Sequence, residues 1–242
     1  MKPRVGRAGG PGLGWRAVLP LLVSAACAPG LPPLPMPVGL VESPPEVPAR
    51  WADSTLPPGN RDIRFRFHLE NEQGGAGGRG RARLALPDSI RFDLQGPLGT
   101  YRANALVIGD SAVWTEPEDA IRKLVPNYPL FWALLGIARE PKPGSAVRGL
   151  AREDLTAWQF TSGGDTVEYV RERGLRPRLI VEVRQAGKRL GRVETRFGPD
   201  GLPLASRLIV QKPVAKLDLT FYQNANATSF PPDTWIRPAR EP

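Results

Sequence analysis

The sequence predicts a mainly β protein, a single curled antiparallel meander of about eleven strands, and three observations carry that prediction. Apolar and polar residues alternate with period two through most of the chain, as at 62–70 and 89–95, the pattern of strands with one face buried. Nearly all of these runs are joined by short turns rich in glycine, proline or aspartate, and short turns impose antiparallel order. Only two stretches, 118–125 and 128–137, break the alternation with helical character. A sheet of that many strands twists and curls toward a barrel instead of lying flat.

In chain order, residues 1–26 have the three parts of a secretory signal. Lys2, Arg4, Arg7 and Arg16 precede an apolar run at 17–23, and Ser24, Ala25 and Ala26 lead to Cys27, the one cysteine of the chain. A lone thiol in an exported protein has no internal disulfide partner, so it needs another role. Ser-Ala-Ala-Cys resembles the bacterial lipobox, which implies cleavage before Cys27 and a covalent lipid on its thiol. Ala28, where an aspartate would imply retention, points by the same resemblance to the outer membrane. Residues 27–60 are proline-rich without apolar periodicity and are predicted to be a tether; at ~3.1 Å per residue in polyproline form, about 30 residues reach on the order of 90 Å. The globular domain is expected over 61–238.

Within that domain the strands are predicted at 62–70, 81–86, 89–95, 100–108, 111–115, 155–161, 165–172, 176–185, 188–197, 203–211 and 214–223. Ile63, Phe65 and Phe67 share one side of the first, and Ile90, Phe92 and Leu94 share one side of the third. The glycines of 74–80 satisfy GxGxxG by letter but are followed by a strand pattern, so they are expected to form a flexible hairpin loop and not a dinucleotide site. The segment 96–99, Gly-Pro-Leu-Gly, is a tight turn with a leucine at its tip. Residues 118–125 are predicted to be a short helix ended by Pro126. The run 128–137, YPLFWALLGI, is too short to span a bilayer and too apolar for a surface helix, so it must be wrapped by protein or lie against lipid.

The formal charge is +9, and four of the basic residues lie in the leader. What remains is arginine scattered along strands, with no aromatic and basic stacking platform, so no nucleic-acid partner is expected. Nucleophilic and zinc constellations are missing: there is no GxSxG, no HExxH and a single histidine, His68, on the polar side of its strand. Neither a catalytic residue nor a metal site is assigned. The apolar side of the curled sheet admits two fillings, its own side chains with the 129–137 helix, or a cavity under that helix.

The lipobox, the tether, an alternating strand that ends in Gly96-Pro97-Leu98-Gly99, a second alternating strand, a short helix and the Trp132-Ala-Leu-Leu-Gly136 segment together resemble the LolA/LolB lipoprotein-localisation superfamily. The closing Phe230-Pro-Pro-Asp-Thr-Trp235 is similar to the carboxyl end of its wider members. The resemblance implies an incomplete, half-open barrel closed by short helices, with acyl chains as the ligand and no other cofactor. The candidates for the cavity are Ile63, Phe65, Phe67, Ile90, Phe92, Leu94, Phe131, Trp132, Leu134 and Leu135. It further implies that Leu98, flanked by Pro97 and Gly99, is a membrane-insertion turn. The expected partners are the membrane, lipoprotein cargo and a soluble LolA-like carrier. The expected protein is a monomer anchored on the periplasmic face of the outer membrane.

Overall fold

The computed structural model describes residues 33–72, 74–97, 102–117, 125, 127–212 and 214–237. Residues from Leu34 onward form one compact unit. Its frame is an antiparallel sheet of thirteen strands: β1 (Val41–Glu42), β2 (Asn60–Asn71), β3 (Gly74–Ala85), β4 (Ser89–Gln95), β5 (Arg102–Ile108), β6 (Ser111–Glu116), β7 (Ala146–Ala151), β8 (Leu155–Ser162), β9 (Asp165–Glu172), β10 (Arg178–Gln185), β11 (Lys188–Phe197), β12 (Pro203–Gln211) and β13 (Val214–Ala227). Two runs of hairpins, β2–β6 and β7–β13, are fused where the last strand pairs with β2, with Leu217 opposite Leu69 and Leu219 opposite Phe67. The outer strands β6 and β1 are not paired with each other, so the sheet is open, as the half-open barrel requires.

Turn chemistry sets the registers. Ala186 and Gly187 both take positive φ, 47° and 73°, which gives the two-residue loop between β10 and β11 a twist that matches the strands it joins.

Glycine in β3 does something else. Residues 74–80, expected as a loop, are the first half of a paired strand. Gly78 and Gly80 stand on the inner face, where a Cβ would come within 2.8 Å of the Phe67 ring and 2.2 Å of the Phe65 ring. These positions lack side chains so that two aromatic rings can lie across the strand. No helix follows them, so the letter match to GxGxxG carries no dinucleotide chemistry.

The tether assigned to 27–60 needs a second correction. From Leu34 its residues belong to the domain: β1 pairs with β7, and helix α1 (Glu46–Asp53) places Trp51 against Trp158 and Tyr169, with ring centroids 6.3 and 5.7 Å apart. Leu34, Met36 and Leu40 cover Ala157, Val170 and Ile180 on the outer face of β8–β10. Apolar burial outweighs the extended bias of the prolines. Strand β7 was also unforeseen; its Gly149 leaves room for the Trp158 ring, which a Cβ would meet at 2.0 Å.

The inner face is closed by helix α2 (Tyr128–Ala133) and the turn that follows, buried from Leu130 to Ala138. Phe131 meets Phe92 edge-on at 4.6 Å, and the Trp132 Nε1–H donates to the Gly109 carbonyl at 2.9 Å. The end of the helix leaves carbonyls that need donors. Thr195 and Ser206, buried on β11 and β12, supply them by donating to the Ala133 and Leu134 carbonyls at 2.5 and 2.7 Å. The predicted helix over 128–137 therefore stops early, and Gly136 turns the chain at φ 78°. The predicted 118–125 helix lies outside the described residues, apart from the buried Val125.

Candidate functional site

The centre of the concave face is solid, and one end of it is not. A cavity of about 440 Å³ opens between the residues after α1, the turn after α2, the β11–β12 hairpin and the adjoining strand ends. That volume lies in the range of small-molecule sites, ~300–1,000 Å³. Trp51, Leu56, Ile63, Leu84, Leu135, Ile137 and Phe197 give it apolar walls. Thr55 ties two of those walls together, because its hydroxyl accepts the Ala138 N–H at 2.9 Å.

The polar groups of the cavity come from strand register. Along β2 the inward positions are Arg61, Ile63, Phe65 and Phe67, so an arginine occupies the first place of an apolar row. Along β9 Tyr169 turns inward to meet Trp51 and Phe160, and Arg171, two residues on, faces the same way. Arg61 is only 8% exposed. It donates from Nη1 to the Asn226 side-chain oxygen, while its buried Nε has no partner. Asn224 Oδ1, also at the cavity, is buried without a donor.

The Arg171 guanidinium lies over the Phe197 ring at 3.7 Å, a cation–π contact. It makes no ion pair or hydrogen bond among the described residues. Burial, with Arg173 nearby, pulls its pKa down to about 10, so the cation persists at neutral pH. Arg173 at the rim is held by the Arg152 and Glu153 carbonyls, to which it donates at 3.3 and 3.4 Å. The one carboxylate at the rim, Asp200, is exposed and caps its own turn by accepting from Leu202 N–H at 3.0 Å.

Of the residues proposed for a lipid cavity, Ile63 and Leu135 border this one. Phe65, Phe67, Ile90, Phe92, Leu94, Phe131, Trp132 and Leu134 belong to the same buried cluster; Phe65, Phe92 and Phe131 form a ring-to-ring chain within it. Pro97 is exposed at the end of β4, beside Arg66, Arg79 and Arg102 on the outer face. Leu98, Gly99 and Cys27 lie outside the described residues. His68 is exposed and pairs with Glu70 at 3.0 Å. Among the described residues no group of three or more His, Cys, Asp or Glu side chains could hold a metal, and no helix is long and apolar enough to cross a membrane. Sequence reasoning missed Arg61, Arg171, Trp51 and Asn224. For the two arginines the signal was their parity with apolar neighbours.

Among solved structures, the chain is similar to a LolA superfamily protein from Nitrosomonas europaea, with a TM-score of 0.51 and 13% identity over 81% of this chain and 98% of that one. It is also similar to a domain from Vibrio parahaemolyticus described as an outer membrane lipoprotein-sorting protein, with a TM-score of 0.47 and 12% identity over 78% of this chain and 95% of that one. No family model and no curated protein matches the sequence. The likeness is one of fold: the open antiparallel sheet is LolA-like.

Proposed function

We propose that this LolA-like protein binds acyl chains in the cavity at the end of its concave face and accepts or inserts lipoproteins, or related lipids, at the outer membrane. The observation that carries this reading is the cavity itself, a space of about 440 Å³ at the end of the apolar core, with Trp51, Leu56 and Phe197 beside polar groups in its lining. Water is a poor place for the cargo: at ~0.8 kcal/mol per methylene, a 16-carbon chain costs about 12 kcal/mol to expose. Transfer between two apolar containers avoids that cost.

A lipid on Cys27 would hold the protein at the membrane, on the periplasmic face, where a soluble carrier could deliver cargo to it at high local concentration. Leu98, which lies between β4 and β5 in sequence, is the residue proposed to enter the lipid, a step worth ~1.5–3 kcal/mol for a leucine. The activity is binding and transfer, with no bond made or broken.

Delipidated protein titrated with a fluorescent 16-carbon fatty acid should take up one equivalent. A protein that takes up none overturns the reading. It would leave the other one, a tethered β-domain that docks an envelope assembly, which the packing of α2 over the sheet centre favours. Leu98→Glu should leave folding and uptake unchanged and impair delivery to liposomes; normal delivery removes Leu98 from the mechanism.

A further inference from the structure

Resting on that reading, we infer that the cavity selects an amphiphile with an anionic head, a carboxylate or a phosphate, and that Arg171, with Arg61 beside the apolar walls, is what recognises it. The inference starts from a mismatch. A guanidinium carries five donors and a fixed charge, and a desolvated one is normally matched by a carboxylate. Arg171 is turned to the concave side of β9 and half-buried, and among the described residues it has only the face of Phe197 for a partner. Arg61 is buried deeper, and its Nε is left without an acceptor. The neighbouring cation, Arg173, adds positive charge at the same mouth and is fixed there by backbone carbonyls. Asp200 is exposed and engaged with its own turn.

The surroundings say what kind of anion fits. Polar groups line the mouth, and beside the arginines Trp51, Leu56 and Phe197 add apolar surface, with Ile63, Leu84, Leu135 and Ile137 buried behind them. The pairing of basic mouth and apolar interior matches a molecule of the same two-part construction. The head would take charge-assisted hydrogen bonds from guanidinium N–H groups that have no acceptor among the described residues, and the tail would lie against Trp51, Leu56 and Phe197. Stacking on Phe197 leaves the in-plane N–H groups of Arg171 available to such a head.

The test is competition for the bound fluorescent fatty acid by 12-carbon amphiphiles that differ only in the head: dodecanoate, dodecyl phosphate, dodecyl maltoside and dodecyltrimethylammonium, with inorganic phosphate as a further arm. Both anionic amphiphiles should bind at least tenfold tighter than the neutral maltoside, and the cationic one weakest. A preference for dodecyl phosphate over dodecanoate would assign the head to phosphate, and the reverse to carboxylate. Arg171→Met, checked for folding by its thermal transition, should bring anionic and neutral amphiphiles to within about twofold, and Arg171→Lys should restore part of the gap. Equal wild-type affinity for anionic and neutral heads overturns the inference and leaves acyl binding intact, as does an anion preference that survives in both Arg171→Met and Arg61→Met. Displacement by inorganic phosphate as effective as by dodecyl phosphate overturns the amphiphile. Failure of every amphiphile to bind overturns this inference together with the reading it rests on.

Discussion

Arginine is used in two ways on the two faces of one sheet. On the outer face of β10 and β11, Arg184, Arg189 and Arg192 converge on the carboxylate of Glu182 at 2.7, 2.8 and 2.5 Å, and that side chain is wholly buried beneath them. On the inner face, Arg61 and Arg171 approach no carboxylate among the described residues. The first cluster is closed in the sense that every arginine in it lies against a carboxylate, with Glu168 adding a second one 3.4 Å from Arg184, and removal of the shared carboxylate leaves the cations desolvated and undermatched. The second is open, since its cations carry a desolvation cost that the Phe197 ring and the Asn226 amide offset only in part and that no carboxylate among the described residues matches. The difference separates an arginine that holds the protein together from one that awaits a guest.

The sharpest way to break the comparison is at its closed end. Glu182→Gln keeps the shape of the side chain and removes the carboxylate on which all three arginines converge, leaving Glu168, 3.4 Å from Arg184, as the remaining anion, so it should cost about 3 kcal/mol and lower Tm by on the order of 10 °C, as read by urea and thermal denaturation. A loss under 0.5 kcal/mol, roughly the scale of a surface pair, would mean that the outer cluster is no more a structural unit than the inner one. Next in size is the support of the open end. Gly136 has φ 78°, and a Cβ there would come within 2.6 Å of the Phe197 ring on which Arg171 stacks. Gly136→Ala should destabilise by about 2 kcal/mol through overpacking and backbone strain. It should also weaken fatty-acid uptake, because the displaced ring is part of the cavity wall; unchanged uptake would separate that ring from the site.

Much of this architecture was legible in the sequence because strand periodicity and burial are the same fact. Ile63, Phe65, Phe67, Ile90, Phe92 and Leu94 could be assigned to one face from spacing alone, and that face is the core. Composition misled where it stood in for packing. Proline content hid Leu34, Met36, Leu40 and Trp51, whose apolar side chains seat the supposed tether on the sheet. Glycine content hid β3, whose missing side chains accommodate the rings of Phe65 and Phe67, a close approach between strands that one-dimensional spacing cannot register. Of the site, the apolar wall was readable and the cations were not. An arginine in a strand is by default a solvated residue, and only its parity with Val167 and Tyr169, or with Ile63 and Phe65, shows that Arg171 and Arg61 point inward.

The open end can be tested through stability as well. Arg171→Met replaces a half-buried, unmatched cation with an apolar side chain of similar length, so the ligand-free protein should be as stable as the wild type or gain up to about 1 kcal/mol. A loss comparable to that of Glu182→Gln would reveal a carboxylate partner in solution and erase the distinction between the two faces.

The smallest effect concerns acid. On the outer face Arg81 donates from Nε to Asp62 at 2.8 Å, and this hydrogen bond, against a partial desolvation cost, holds the Asp62 carboxyl below the usual range. A carboxylate whose pKa is lower folded than unfolded stabilises the fold at pH values above the unfolded pKa, ~3.9. That contribution disappears as the pH falls through the folded value, where both states are protonated. The pair is partly exposed, so its worth is about 0.5 kcal/mol. Asp62→Asn should therefore lie below the wild type by that amount at pH 7 and converge with it once the pH has fallen below the lowered folded-state pKa, in urea denaturation run across the range. Among the described residues Arg171 has no carboxylate to hold ionised, so Arg171→Met should keep the wild-type acid slope unaltered. Were it instead to flatten that slope as Asp62→Asn does, an acidic side chain would have to be paired with Arg171, and the inner face would be as closed as the outer.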